Sequence, residues 1–318
     1  MCHVLSADEV YDNPTSEVQL QLPLRHAGDG HRPARTAWEF AYYTSCPDDV
    51  EGYRQETQHE LTVQKEDEIF KALIPRLSQE QLITSLSACG PHAAAFMRVN
   101  GDSCIDEMPD EAYQAALRVR IGLAPFSGMR LRCRCDVPHY VKPHDHAMCC
   151  PCTKGGARIA RHDAIKGVIE RFLRECGFYP DVEPPGYDDA SQKRPDILAR
   201  VGNQVYAIEV SVTHPIQSSQ EMRRAAATVA GYAMNIRIAQ KRQKYSHICA
   251  SKKQTLVVCA VETFGRVSPD FVRFVKQVVT VSNKGSFGLE DAAQRLFNDV
   301  SVALHTGNMD VWRAYNRM

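Results

Sequence analysis

Arg194-Pro195-Asp196-Ile197, followed thirteen positions after the aspartate by Glu209 inside the apolar run Gln204–Thr213, constrains this chain more than any other feature. An aspartate opening one strand and a glutamate midway along the next suit a Mg²⁺ site for phosphodiester cleavage, because hard cations take carboxylate oxygens. Period-two alternation puts Val205, Ala207, Glu209, Ser211 and Thr213 on one face. Tyr206, Ile208, Val210 and Val212 share the other. Glu209 thus interrupts a run that would otherwise be buried on both sides. A charge in that position is costly unless something binds it. The competing reading makes Asp196 a turn residue and Glu209 a surface charge on an edge strand.

Five of the twelve cysteines fall between Cys133 and Cys152, with three histidines among them, in the string CRCDVPHYVKPHDHAMCCPC. Cys133 and Cys135 form one short ligand pair, and His146 with Cys150 forms another. Two such pairs separated by a loop can close a tetrahedral zinc site. Cys149, Cys152, His139 and His144 are also within reach as ligands. The start, MCHVLSADEVYDNP, lacks the basic and apolar regions of a secretory signal, so reduced thiols holding a metal are expected in preference to disulfides.

Periodicity predicts an α+β fold. The first fifty residues show no sustained pattern and read as loop, with one short ordered piece at Trp38–Tyr43. Residues 60–88 and 109–122 carry apolar positions at helical spacing, including Ile69, Leu73 and Leu77, then Ala112, Ala115, Ala116 and Val119. A helix from about His162 to Cys176 presents Ile165, Val168, Ile169, Phe172 and Leu173, and Gly177 ends it. There follow a short strand near Phe178–Glu183, a Pro/Gly/Asp loop and the two carboxylate-bearing strands. A long helix from Ser218 to Tyr245, a strand at Thr255–Val261 and helices near Pro269–Val279 and Leu289–Leu304 complete the chain. The order is αβββαβ with C-terminal helices.

The 38 basic and 38 acidic residues balance overall but not along the chain. Residues 1–130 hold 20 acidic and 11 basic side chains, and residues 131–318 hold 18 and 27, giving about −9 and +9. Nucleic acid is expected on the C-terminal half. No apolar run approaches membrane-spanning length, so no membrane partner and an intracellular location are expected. The oligomeric state is left open.

The stretch from Cys133 to Pro215 resembles the C-terminal part of site-specific non-LTR retrotransposon proteins, in which a CCHC zinc knuckle precedes a restriction-like endonuclease of the PD-(D/E)XK superfamily. The resemblance rests on the Cys-x-Cys pair, His146-Ala-Met-Cys-Cys150, Gly155-Gly156, Arg158-Ile-Ala-Arg161-His162-Asp163, Val182-Glu183-Pro184, Arg194-Pro-Asp-Ile197 and Ile208-Glu-Val-Ser-Val212. Upstream, Gly90-Pro91-His92-Ala93 and Glu111 to Leu123 look like the helical linker of those proteins. Covering roughly residues 60–310, it implies, after the irregular segment at 1–55, a helical linker domain at 56–130, the zinc knuckle at 131–156 and the endonuclease at 157–318. No Tyr/Phe-x-Asp-Asp polymerase motif occurs, so reverse transcription is not expected of this chain.

The resemblance implies a DNA endonuclease with structural Zn²⁺ and catalytic Mg²⁺ or Mn²⁺, in which Asp196 and Glu209 are direct metal ligands. The superfamily usually carries a lysine two residues after the acidic strand residue; Ser211 stands there instead. In the retrotransposon enzymes a lysine from the following helix takes that role, which makes Lys241 and then Lys244 the candidates, with Lys193 third. Glu170 lies where the superfamily often adds a carboxylate, and Glu175 and Glu183 are weaker choices. His162 reads as a structural residue at the start of its helix. Arg158, Arg161, Lys193 and Arg194 are candidates for phosphate contact, although the two former arginines would equally pair with nearby acids. The rival expectation is a cleavage-dead nucleic-acid-binding or scaffold protein that keeps this fold.

Overall fold

The computed structural model describes residues 13–29, 58–99, 107–129, 133, 135, 142–153, 155–188, 193–282 and 289–318. The expected ordered piece at Trp38–Tyr43 lies outside them. Asn13 caps the first helix, α1 (Pro14–Gln21), by accepting from the Ser16 amide. Helix α2 spans Gln58–Leu73 and α3 spans Gln79–Ala88, the latter opened by a reciprocal capping box between Ser78 and Gln81. The periodic run 60–88 is divided because Pro75 cannot donate to the helical ladder. Helix α4 (Asp110–Arg120) has Asp110 and Glu111 in its first turn and Arg118 and Arg120 in its last, as its dipole favours. The short α5 (Pro143–Cys149) precedes α6 (Gly156–Glu175).

Strands β1 (Asp181–Val182), β2 (Ile197–Val201) and β3 (Gln204–Thr213) come next, then helices α7 (Gln220–Thr228) and α8 (Tyr232–Ser251). Strand β4 (Thr255–Glu262), α9 (Pro269–Val281) and α10 (Leu289–Asn316) finish the fold. The single helix expected over 218–245 is two, because Gly231 adopts φ of +77°, a left-handed conformation that glycine takes without a Cβ penalty. Helix α10 continues well past the expected Leu304.

The sheet order is β1-β2-β3-β4, with β1–β2 and β2–β3 antiparallel and β3–β4 parallel. A parallel neighbour requires a crossover, and α7 with α8 supplies it. Both faces of β3 are covered, as its nearly continuous apolar character implies. Tyr206, Ile208 and Val210 join the main core with Ile165, Ile169 and Phe172 of α6, Phe271 and Val275 of α9, and Leu296 and Val300 of α10. On the opposite face Ala207 packs against Tyr245 and Cys249 of α8, and Val258 and Ala260 against Met234 and Ile238. The fold is α+β, three layers deep around the sheet.

A second apolar cluster joins the N-terminal helices to the rest. Ile83 of α3, Ala112 and Val119 of α4, Ala147 and Met148 of α5, and Met309, Trp312 and Tyr315 of α10 meet in it. Helix α1 packs Leu20 against Ile121 and Leu123 and is otherwise held by polar contacts. Ser16 Oγ donates to the Ile121 carbonyl at 2.7 Å and Gln19 Nε2 to that of Arg120 at 3.0 Å. The buried Arg120 guanidinium in turn donates to the carbonyls of Leu24, Gly28 and Ala88.

Helices α6 and α10 cross closely at Gly307, where an added Cβ would lie 2.5 Å from Arg161 Cγ and 2.6 Å from its Cβ. Gly307→Ala is therefore expected to destabilise the fold by about 1–3 kcal/mol through overpacking, despite alanine's better helix propensity. Gly167, also within α6, has nothing within 4 Å of such a Cβ. Gly167→Ala should stabilise by about 0.5–1 kcal/mol. Denaturant melts of the two variants read both signs; equal effects at the two positions would refute the close crossing.

Candidate active site and metal centre

The register that pairs Ile197 with Ile208 sets Asp196, just before β2, opposite Glu209 in the middle of β3. Asp196 is anchored on both sides. Its Oδ2 accepts the Val210 amide at 2.7 Å, and its carbonyl accepts the amide of Glu183 at 3.0 Å. Glu209 is 1% exposed, on the face covered by α8. Helix α8 returns Lys241 and Tyr245 to that face, four residues apart and so one above the other. Lys241 Nζ lies 2.5 Å from Glu209 Oε2, and Tyr245 donates to the carbonyl of Arg194 at 3.2 Å. Glu209 Oε1 is buried without a hydrogen-bond partner.

The two carboxylates are driven apart in acidity. For Asp196, burial acts to raise the pKa, but the hydrogen bonds from His162 and the Val210 amide outweigh it and the net shift is downward. For Glu209, burial and the neighbouring Asp196 charge raise the pKa against the pull of Lys241 and of the nearby Tyr245 hydroxyl. Opposed shifts in adjacent acids are common where ions and protons are handled. A cation bound there would relieve both the partnerless buried oxygen and the mutual repulsion.

His162, expected to be structural, lies in this cluster with Nε2 3.5 Å from Asp196 Oδ2. The Asp196 hydrogen bond raises its pKa while burial opposes. No spacing rule marked it, since contact with Asp196 depends on how α6 lies against β2. Lys166, one turn later, bridges Glu183 at 2.5 Å and Asp163 at 3.0 Å, and Arg194 meets Glu183 at 2.6 Å. Glu183 holds this position with φ of +47°, unusual for a residue with a side chain.

Ser211 is buried on the Glu209 face. Lys244 is exposed, with Nζ 4.7 Å from the Tyr245 ring centroid, and Lys193 is half-buried beside the motif. Glu170 pairs with Arg174 on its own helix at 2.9 Å, and His162 two turns earlier is what α6 contributes to the carboxylates. Arg161 does not face solvent: it is 5% exposed, and Nη1 donates to Asn308 Oδ1 at 2.6 Å. Burial forces that guanidinium inward between α6 and α10, so phosphate contact gives way to a structural tie. Arg158 donates to the carbonyls of Met148 and Thr153, bracing the cysteine segment.

In that segment the thiols of Cys133, Cys135, Cys150 and Cys152 lie within 4.8 Å of one another. Cys133 and Cys150 are 3.3 Å apart, Cys135 and Cys150 3.9 Å, and Cys135 Sγ is 3.3 Å from His146 Nε2. These are too long for disulfides and bracket the ~3.8 Å that separates two thiolates on one tetrahedral zinc. Burial opposes ionisation of Cys133, yet hydrogen bonds from His146, Cys135 and Cys150 bring it down to about 6. Burial and Cys133 push Cys150 up to about 12. Such a cluster could bind zinc, which would take every ligating thiol as thiolate. His139 lies outside the described residues. His144 turns instead toward Asp145, and its carbonyl accepts the Trp312 indole at 3.1 Å. Asp145, 1% exposed, is 3.4 Å from Nε2 of His214, whose Nδ1 is 2.7 Å from Thr263 Oγ1.

Five donors surround the centre, and the shortest contacts join Cys133 to Cys150 and Cys135 to His146. Protein purified with zinc should carry about one ion per chain, lost with local unfolding in Cys133→Ser and Cys150→Ser. Cobalt-substituted protein should show three thiolate ligands, retained in Cys152→Ser and altered in His146→Ala. A four-thiolate spectrum that survives His146→Ala would place Cys152 in the shell instead.

No family model matches the chain. Over 305 residues, 92% of this chain, it is 26% identical to the retrotransposable element SLACS 132 kDa protein of Trypanosoma brucei gambiense. The chain spans 24% of the length of that protein. The two are distant relatives, which supports a retrotransposon-related origin. Among the described residues no helix is long and apolar enough to cross a membrane.

Proposed function

We propose that this chain is a metal-dependent DNA endonuclease related to the target-cleaving nuclease of non-LTR retrotransposon proteins. The observation that carries the reading is Asp196 set opposite a buried Glu209 whose Oε1 has no hydrogen-bond partner. Asp196 and Glu209 would hold Mg²⁺ or Mn²⁺, and that ion, when bound, supplies Lewis acidity to the phosphoryl oxygens. Lys241 provides the positive charge that Ser211 cannot, delivered from α8 to the same face of β3. Its ammonium stabilises negative charge developing at the phosphate and orients the attacking water. Tyr245 fixes the Arg194 carbonyl and thereby the motif that carries Asp196. Lys193, Arg194 and the exposed Lys244 flank the site as phosphate contacts, consistent with the basic C-terminal half. The zinc centre acts as a strut, and the partners are nuclear DNA and the RNA of a parent element.

One observation favours the rival, binding-only reading. Lys241 already neutralises Glu209, as it would in a site that had given up its cation. Cleavage assays on the full chain decide between them. Asp196→Asn and Glu209→Gln should abolish cleavage while DNA affinity stays within a few-fold, because each removes a metal ligand and leaves the phosphate contacts. Lys241→Met should slow cleavage by ~10²-fold, and Ser211→Lys in that background should restore part of the rate. Wild-type, zinc-loaded protein that binds DNA yet cuts no duplex, branched or single-stranded substrate with Mg²⁺ or Mn²⁺ would establish the rival.

A further inference from the structure

The crossover through α7 and α8 carries charge of one sign. From Met222 to Val261 the chain has eight lysines and arginines and no acid in forty residues, where its average of 38 acids in 318 would place about five. An ordinary solvated surface mixes both signs. Several of these cations are already committed: Lys241 to Glu209, Arg242 to Asp270, and Arg223 to the carbonyls of Gln217 and Ser218. Arg237, Lys244 and Lys252 are not. They are exposed, and among the described residues none of the three meets a carboxylate. At 3.6 residues per turn these three and Lys241 fall within an arc of ~80°, so the row passes beside the carboxylate pair. At 1.5 Å per residue it extends ~22 Å from Arg237 to Lys252. Two of its ammonium groups are held in place beforehand. Lys244 Nζ rests 4.7 Å from the centroid of the buried Tyr245 ring, and Lys252 Nζ 5.1 Å from that of Tyr187. A stem ordered on an aromatic face has less rotamer freedom to lose when it meets an anion. The helix dipole favours a cation at Lys252, the C-cap, but gives no reason for Arg237 in the second turn.

We propose that Arg237, Lys244 and Lys252 form a track for the phosphate backbone of a DNA strand, laid along α8 and leading past Glu209. Ammonium and guanidinium groups in such a row bind phosphates without reading bases, so the track positions a strand irrespective of its sequence. Its ~22 Å cover the axial rise of about six base pairs. Lys241, within the same arc, is the member that turns inward to the carboxylates. The track goes beyond the nuclease reading, because it holds DNA whether or not the site cuts it.

The test is binding of full-length, zinc-loaded protein to a fluorescent DNA duplex and to one of its strands, read by anisotropy across a salt series with no Mg²⁺ or Mn²⁺ added. Each of Arg237→Gln, Lys244→Gln and Lys252→Gln should flatten the dependence of log Kd on log salt by about one, and the triple variant by about three, equally for unrelated sequences. Lys252→Arg keeps the charge and should keep the wild-type slope. Lys276→Gln, an exposed lysine on α9 at the other face of the sheet, should keep it too. A slope that falls on the duplex supports the track and assigns it to duplex DNA; a fall confined to the single strand supports it and assigns it to single-stranded DNA. An unchanged slope in the triple variant overturns the proposal, as does an equal loss in Lys276→Gln, which would make net charge the cause. The single variants decide even if the triple fails to fold. Asp196-dependent cleavage with an unchanged slope sinks the track alone. A slope that falls as expected in a protein that never cuts DNA sinks the nuclease reading alone.

Discussion

Helix α10 approaches α6 so closely at Gly307 that no side chain fits between them, and this crossing sets the relation of the two interiors that flank it. N-terminal to the crossing, Leu296, Val300 and Leu304 complete the core behind the sheet. C-terminal to it, Trp312 and Tyr315 complete the cluster that receives α3, α4 and α5. Asn308, one residue on, accepts from Arg161 of α6 at 2.6 Å and donates to the Thr263 carbonyl past β4 at 2.7 Å. A large side chain fully buried in such a place contributes about 1.5–3 kcal/mol. One helix therefore orders both the strands that carry the carboxylates and the segment that carries the thiols.

Within that frame the electrostatics are local. Glu209 is buried, and one ammonium from α8 is its compensation. Such a pair is weak evidence of stability, because desolvation of both ions offsets most of their attraction. Its value is geometric: an ion pair that must form fixes the angular setting of α8 against β3. The break at Gly231 helps, since it frees α8 from the direction imposed by α7.

Much of this was legible from residue order alone. The alternation along β3 gave the correct face for Glu209 because period two is a property of the strand itself. The apolar stripe of α6 was legible because that helix packs by one face. Helix α1 was not, since Ser16 and Gln19 dock it by hydrogen bonds to backbone carbonyls and leave no apolar period. Arg161 read as a surface cation because sequence does not show that Gly307 opens a space for its stem. His162 belongs to the same class, because it lies beside Asp196 through tertiary placement, which no spacing within one segment encodes.

The buried contact between Asp145 and His214 joins the helix that carries His146 to the end of the strand that carries Glu209. Loosening of α5 would therefore reach the end of β3 through that one contact. Were the cysteine cluster to hold zinc, its withdrawal would loosen α5, Asp145 and then the strand end, and recovery would have to wait for refolding.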